Sequence, residues 1–166
     1  MVAAVLTAML VLQTAQAHSV PGGFPFPIWM SRPQDVSVLL TAPRTTYVAG
    51  EDIRIHVRVV NISNQALGDV RRVPDWFIFG ITIKNGNAAK LQPNVDREMT
   101  NGGAEIVELP PHGFHDYSAA TGTTLRHWGY ALTTPGSYAI RVFAESPNKT
   151  RIYSNTISIQ VVLGPH

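Results

Sequence analysis

From Asp35 onward the hydrophobic positions repeat with a period of two. Val36, Val38 and Leu40 share one face, opposite Ser37, Leu39 and Thr41. Ile53, Ile55, Val57 and Val59 alternate with Arg54, His56 and Arg58. Phe77, Phe79, Ile81 and Ile83 repeat the pattern, as do Tyr138, Ile140 and Val142, and later Ile157, Ile159 and Val161. One apolar and one polar face per segment is the signature of a strand buried on one side. Between these runs lie turn signals: Gly50-Glu51-Asp52, Asn85-Gly86 (a dipeptide that favours tight hairpins), Asn101-Gly102-Gly103 and Pro135-Gly136. Asn61 to Asp75 reads as a polar loop. Leu91 to Thr100 holds a short strand, and Ile106 and Leu109 lie on a strand ended by Pro110-Pro111. Phe114 to Ala119 is a further strand, and Ala120 to Leu132 a loop of little periodicity. No window carries a long amphipathic helix. The pattern predicts an all-β, antiparallel sandwich of about seven strands.

The chain before Asp35 is different. Residues 1–17 hold an apolar run, Val2 to Leu12, followed by Ala15-Gln16-Ala17. That is an export signal with an A-x-A cleavage site, although no Lys or Arg precedes it. The run is too short for a membrane span, which needs about 20 residues. Cleavage after Ala17 would leave an exported, secreted or periplasmic chain with no span. Residues 18–34 form an arm with Pro21, Pro25, Pro27 and Pro33, which disfavour helix and central strand. Its Phe24, Phe26, Ile28, Trp29 and Met30 are too apolar for a free linker. The arm is expected to run extended against its own domain, 35–166, with the Trp29 region facing the Trp76 region.

Composition narrows the classes. The 166 residues include no cysteine, so an exported chain must hold itself by its core. The formal net charge is only +2, and Arg71-Arg72 is the only adjacent pair of cations. Nucleic-acid binders cluster their cations, so nucleic acid is not an expected partner.

The segment Tyr47-Val48-Ala49-Gly50-Glu51-Asp52-Ile53, leading to Val59-Val60-Asn61, resembles secreted immunoglobulin-like β-sandwich modules, with their "Y-x-x-G-E-x-I … V-x-N" second strand. Leu109-Pro110-Pro111-His112-Gly113 and Leu132-Thr133-Thr134-Pro135-Gly136-Ser137-Tyr138-Ala139-Ile140 look like its later part, where a "T-x-P-G-x-Y-x-I" turn feeds the penultimate strand. The resemblance spans about Asp35 to Leu163 and implies a fold, with adhesion, scaffolding, substrate presentation or inhibition as roles. The inter-sheet cysteine pair of antibody domains is missing. Tyr138 is expected to act as a tyrosine corner, its hydroxyl bonding backbone near the preceding turn.

Candidate chemistry is sparse. His18 would be the mature N-terminus, offering an α-amine and a ring to one metal. With His115 and His127 it would give a nitrogen set suited to copper. His112 and His115 are three apart, so on a strand they face opposite ways. No G-x-S-x-G, H-E-x-x-H or glycine-rich phosphate loop is present. Asn61-Ile62-Ser63 and Asn148-Lys149-Thr150 fit glycosylation acceptors at Asn61 and Asn148, relevant only in a eukaryote. Arg71, Arg72, Trp76, His127 and Trp128 lie in or beside the two long loops and are the expected binding residues. The expected function is therefore a non-catalytic module, without cofactor, that engages a protein or polysaccharide through its loops. The alternatives are a copper protein built on His18 and an inhibitor of proteases that presents an extended loop.

Overall fold

A computed structural model describes residues 27–71, 78–86, 90–96, 104–117, 123–146 and 148–165. The chain is all-β. Eleven strands are described: β1 (Val36–Thr41), β2 (Thr46–Val48), β3 (Arg54–Asn61), β4 (Leu67–Arg71), β5 (Phe79–Asn85) and β6 (Glu105–Leu109), then β7 (Phe114–Asp116), β8 (Thr123–Thr124), β9 (Gly136–Glu145), β10 (Arg151–Tyr153) and β11 (Ile157–Val162). Among the described residues no helix is long and apolar enough to cross a membrane.

The smaller sheet is centred on β3, which pairs antiparallel with β1 on one side and with β7 and β8 on the other. The larger sheet is centred on β9. Its ten residues pair with β5 along one edge and with β10 and β11 along the other. After β1 the chain crosses between sheets at Pro43, and β2 joins β11 in parallel. A separate antiparallel ribbon pairs β4 with β6.

The alternation read in the sequence is what closes the sandwich. Val38 and Leu40 of β1, Ile55, Val57 and Val59 of β3, and Ile81 and Ile83 of β5 all point inward. They meet Tyr138, Ile140 and Val142 of β9 and Ile159 and Val161 of β11 in one buried cluster. Asn155 stitches the sheets together, its amide exchanging hydrogen bonds with the Leu40 N–H (2.7 Å) and C=O (2.9 Å). The resemblance motifs gain physical reasons. Gly50 turns at φ 82°, and the Glu51 carboxylate accepts the Val48 N–H at 2.9 Å and pairs with Arg44. The Tyr138 hydroxyl donates to the Thr134 carbonyl at 2.7 Å at the head of β9, the corner expected of it.

Several expectations change. Asn61–Asp75 is not simply a polar loop, because Leu67–Arg71 forms β4, with Leu67, Asp69 and Val70 buried. Asn85-Gly86 does not close a two-residue hairpin. The chain returns only at Lys90, which bridges to Lys84, and Leu91 N–H bonds to the Ile83 carbonyl. The described part of Leu91 to Thr100, residues 91–96, holds no strand. The arm is not extended where it is described. Ile28–Ser31 and Pro33–Asp35 coil into two single turns of 3-10 helix, with Pro33 at a first position where its missing N–H costs nothing.

Candidate functional site

The arm enters the core through Trp29, which is fully buried, with Met30 beside it. Its neighbour Ile28 lies on β4 where Gly68 leaves the backbone bare. A Cβ at Gly68 would stand 2.6 Å from Ile28 Cδ1. The Trp29 indole stacks on Phe79 of β5 (6.1 Å between centroids) and meets Tyr117 edge-on (6.2 Å). Trp76, the partner expected from the sequence, lies outside the described residues.

Beneath the indole sits Asp69 of β4, 1% exposed. Oδ1 accepts from Trp29 Nε1 (2.8 Å), from the Val70 N–H (2.8 Å) and from the Tyr117 hydroxyl. Oδ2 lies 2.6 Å from His115 Nδ1. Burial alone would raise the carboxyl's pKa. The hydrogen bonds from His115, Tyr117 and Trp29 outweigh it and hold the pKa below the ordinary carboxylate value. An ionised carboxylate only accepts, so His115 Nδ1 carries the proton. This knot joins the arm, the β4–β6 ribbon and the smaller sheet. It can hold a carboxylate ionised inside a protein and fix an imidazole. Its groups point at one another, which is the arrangement of a structural clamp.

His115 is thus drawn to Asp69. His127 instead caps its own 3-10 turn (Leu125–Trp128), with Nδ1 2.9 Å from Thr124 Oγ1. The two histidines hang from β3 positions five residues apart, His115 opposite Val59 and Thr124 opposite Arg54, or about 17 Å along the strand. The structure does not bring them together. Among the described residues no three His, Asp or Glu side chains converge on a metal position. His18 lies outside the described residues, as do Arg72 and Trp76. Only the backbone of Arg71, on β4, is described.

Trp128 is corrected as a binding residue. It is 2% exposed, and its Nε1 donates to the Phe79 carbonyl at 3.3 Å, because the loop around it folds into the core. Asn61 is corrected as a glycan acceptor. It is fully buried, and its Nδ2 donates to the carbonyls of Gln65, Leu109 and Pro110 at 2.7, 3.1 and 3.0 Å. A sugar on that nitrogen is incompatible with this packing. Asn148 is exposed.

The outer face of the larger sheet carries a different constellation. Arg141, Phe143 and Glu145 project from β9 beside Arg151 and Tyr153 of β10. The Arg141 guanidinium lies 4.2 Å from the Tyr153 ring centroid, and that of Arg151 lies 4.5 Å from the Phe143 ring. Phe143 presses onto bare backbone at Gly80 of β5, where a Cβ would stand 2.3 Å from its Cζ. Arg151 Nε (2.7 Å) and Lys149 Nζ (3.3 Å) both hold Glu145, keeping its pKa below the ordinary carboxylate range. Further along, Lys84 and Lys90 face each other across a single antiparallel bridge. All three lysines of the chain therefore lie on or beside this face. Among the described residues five cations meet one carboxylate there, in a chain whose net charge is +2.

A 70 Å³ cavity lies between Leu91, Asn94, Tyr130 and Tyr138. That is far below the 300–1,000 Å³ of a small-molecule site.

No family model matches the chain, and no curated protein does. Among solved structures it is similar to the CARDB domain of a Pyrococcus furiosus protein, determined in complex with di-metal ions. Identity is 16%, over 86% of this chain and 99% of that one, with a TM-score of 0.41. It is similar to the sporulation control protein Spo0M from Bacillus subtilis at 12% identity, over 78% of this chain and 50% of that one, with a TM-score of 0.45. A β-glucosidase from Erythrobacter marinus matches at 18% identity and a TM-score of 0.39. It covers 76% of this chain, which spans only 15% of that enzyme's length.

Proposed function

We propose that this chain is an exported, non-catalytic module that binds another macromolecule, and that it does so through the outer face of its larger sheet. The observation that carries the reading is the concentration of Lys84, Lys90, Arg141, Lys149 and Arg151 on that face, with Glu145 as the one carboxylate among them in the described residues. The two long loops named from the sequence are weaker candidates. Where described, they are tied into the fold by β4 and by the buried Leu125, Trp128 and Tyr130. The Asp69–His115 pair is read as structural, because Trp29 lies over it and its hydrogen bonds run inward. Export is supported by the apolar run and A-x-A pattern of residues 1–17.

A photo-crosslinking amino acid tests the face. It is placed at exposed Ser158 on β11, and at Leu39, 41% exposed, on the outer face of the smaller sheet. The chain is then irradiated in the exported fraction of its host. A discrete product from position 158 and none from position 39 is expected. Products from position 39 alone, or from neither, would contradict the reading.

A further inference from the structure

Resting on that reading of the face, we propose that the ligand is an acidic polysaccharide, its carboxylate or sulfate groups held chiefly by Lys84, Lys90 and Arg141, with Lys149 and Arg151, which already hold Glu145, extending the positive charge at the other end. Three features of the face point there.

The first is a charge arrangement that is unfavourable without a ligand. Lys84 and Lys90 stand directly opposite each other, both exposed, and like charges so placed repel. Their described neighbours on the face are Thr82, Ala139 and Arg141, none of them acidic. At the far end a carboxylate is already in place: Glu145 is gripped by Arg151 and Lys149. The near end has the cations and lacks the acid.

The second is shape. Ala139 to Glu145 runs six residues along β9, about 20 Å. Cations spread over that length on an open sheet face suit an extended polymer with regularly spaced charges better than a compact anion. Guanidinium forks match the planar geometry of carboxylates and the oxygens of sulfates.

The third separates polysaccharide from other polyanions. Single-stranded nucleic acid binds by stacking bases on open ring faces. Here Arg141 and Arg151 already lie over Tyr153 and Phe143, and Phe143 is pressed onto Gly80. Membrane surfaces are bound by basic faces paired with inserting Trp, Phe or Leu. The exposed positions next to these cations are Ser137, Ser158 and Gln160, groups that hydrogen-bond sugar hydroxyls, and the exposed Val162 and Val48 lie at the far end of β11 and on β2 and include no Trp, Phe or Leu.

The test is affinity electrophoresis of the full chain through gels containing polygalacturonate, dextran sulfate or neutral dextran. The wild type is expected to be retarded by at least one acidic polymer and not by dextran. The double variant Lys84→Gln/Lys90→Gln is expected to bind about tenfold more weakly, on the scale of two lost charge contacts. Arg54→Gln, on the smaller sheet, should leave the retardation unchanged. The double variant removes a repelling pair, so its melting temperature should equal or exceed that of the wild type, which separates lost binding from lost folding. No retardation by either acidic polymer would overturn the proposal, as would retardation unchanged in the double variant. Tighter binding to oligo-dT or to phosphatidylserine vesicles than to either polysaccharide would also overturn it. A crosslink from position 158 combined with no retardation rejects the ligand class and leaves the face standing. Absence of both rejects the face as well.

Discussion

At the scale of single residues the molecule turns on Asp69. Four donors converge on it, three on Oδ1 and one on Oδ2, and three of them come from side chains distant in sequence. Removing the acceptor strands buried donors, and breaking such a set by deleting one partner costs about 3–5 kcal/mol. Asp69→Ala should therefore lose a large fraction of total stability, read as a fall in the urea midpoint. An unchanged midpoint would mean that the knot carries no stability. The direction of the pKa shift gives a second expectation. The folded state lowers the Asp69 pKa, so its contribution is complete above the ordinary carboxylate pKa and is lost as pH falls through the folded value. Urea midpoints of the wild type, followed from neutral pH into that acid range, should fall more steeply than those of Asp69→Asn. Parallel curves would contradict the assignment. The sequence did not mark Asp69, because a single acid between Gly68 and Val70 looks like loop.

Among the elements, β9 organises the larger sheet, and it is where the sequence was most readable. Tyr138, Ile140 and Val142 alternate inward as their spacing predicts, and the Pro135-Gly136 turn places the Tyr138 hydroxyl on Thr134. Tyr138→Phe keeps the ring and loses that bond, so it should cost about 1 kcal/mol in chemical denaturation. A cost near zero would remove the corner's structural role. Strands β1, β3 and β11 were legible for the same reason: one face of each packs into the core, with only Ile157 at the start of β11 partly exposed. β4 was not, because Asp69 and Val70 are buried in succession and break the period of two. β2 and β10 have three residues each, too few to show any period. The cationic face was illegible from sequence because its members come from β5, the return at Lys90, β9, the turn at Lys149 and β10. Adjacency along the chain points instead to Arg71-Arg72. Only the register of β5, β9 and β10 gathers the others.

For the whole molecule, the arm is part of the fold. Trp29 lies at the junction of ribbon, smaller sheet and larger sheet, and Trp29→Ala should cost about 3–5 kcal/mol, as for other fully buried large aromatics. A variant with wild-type stability would return the arm to the status of a tether. With Trp29 and Met30 packed inside, the uneven charge on the surface becomes the feature that bears on function. The central claim is that one face of the larger sheet binds an acidic polysaccharide, and the chain's three lysines report on it directly. Intact protein is acetylated at lysine with and without polygalacturonate or dextran sulfate, and the rate at each site is read by mass spectrometry. Lys84, Lys90 and Lys149 should all be slowed by at least one of the two polymers. Unchanged rates at all three lysines with both polymers would contradict the claim.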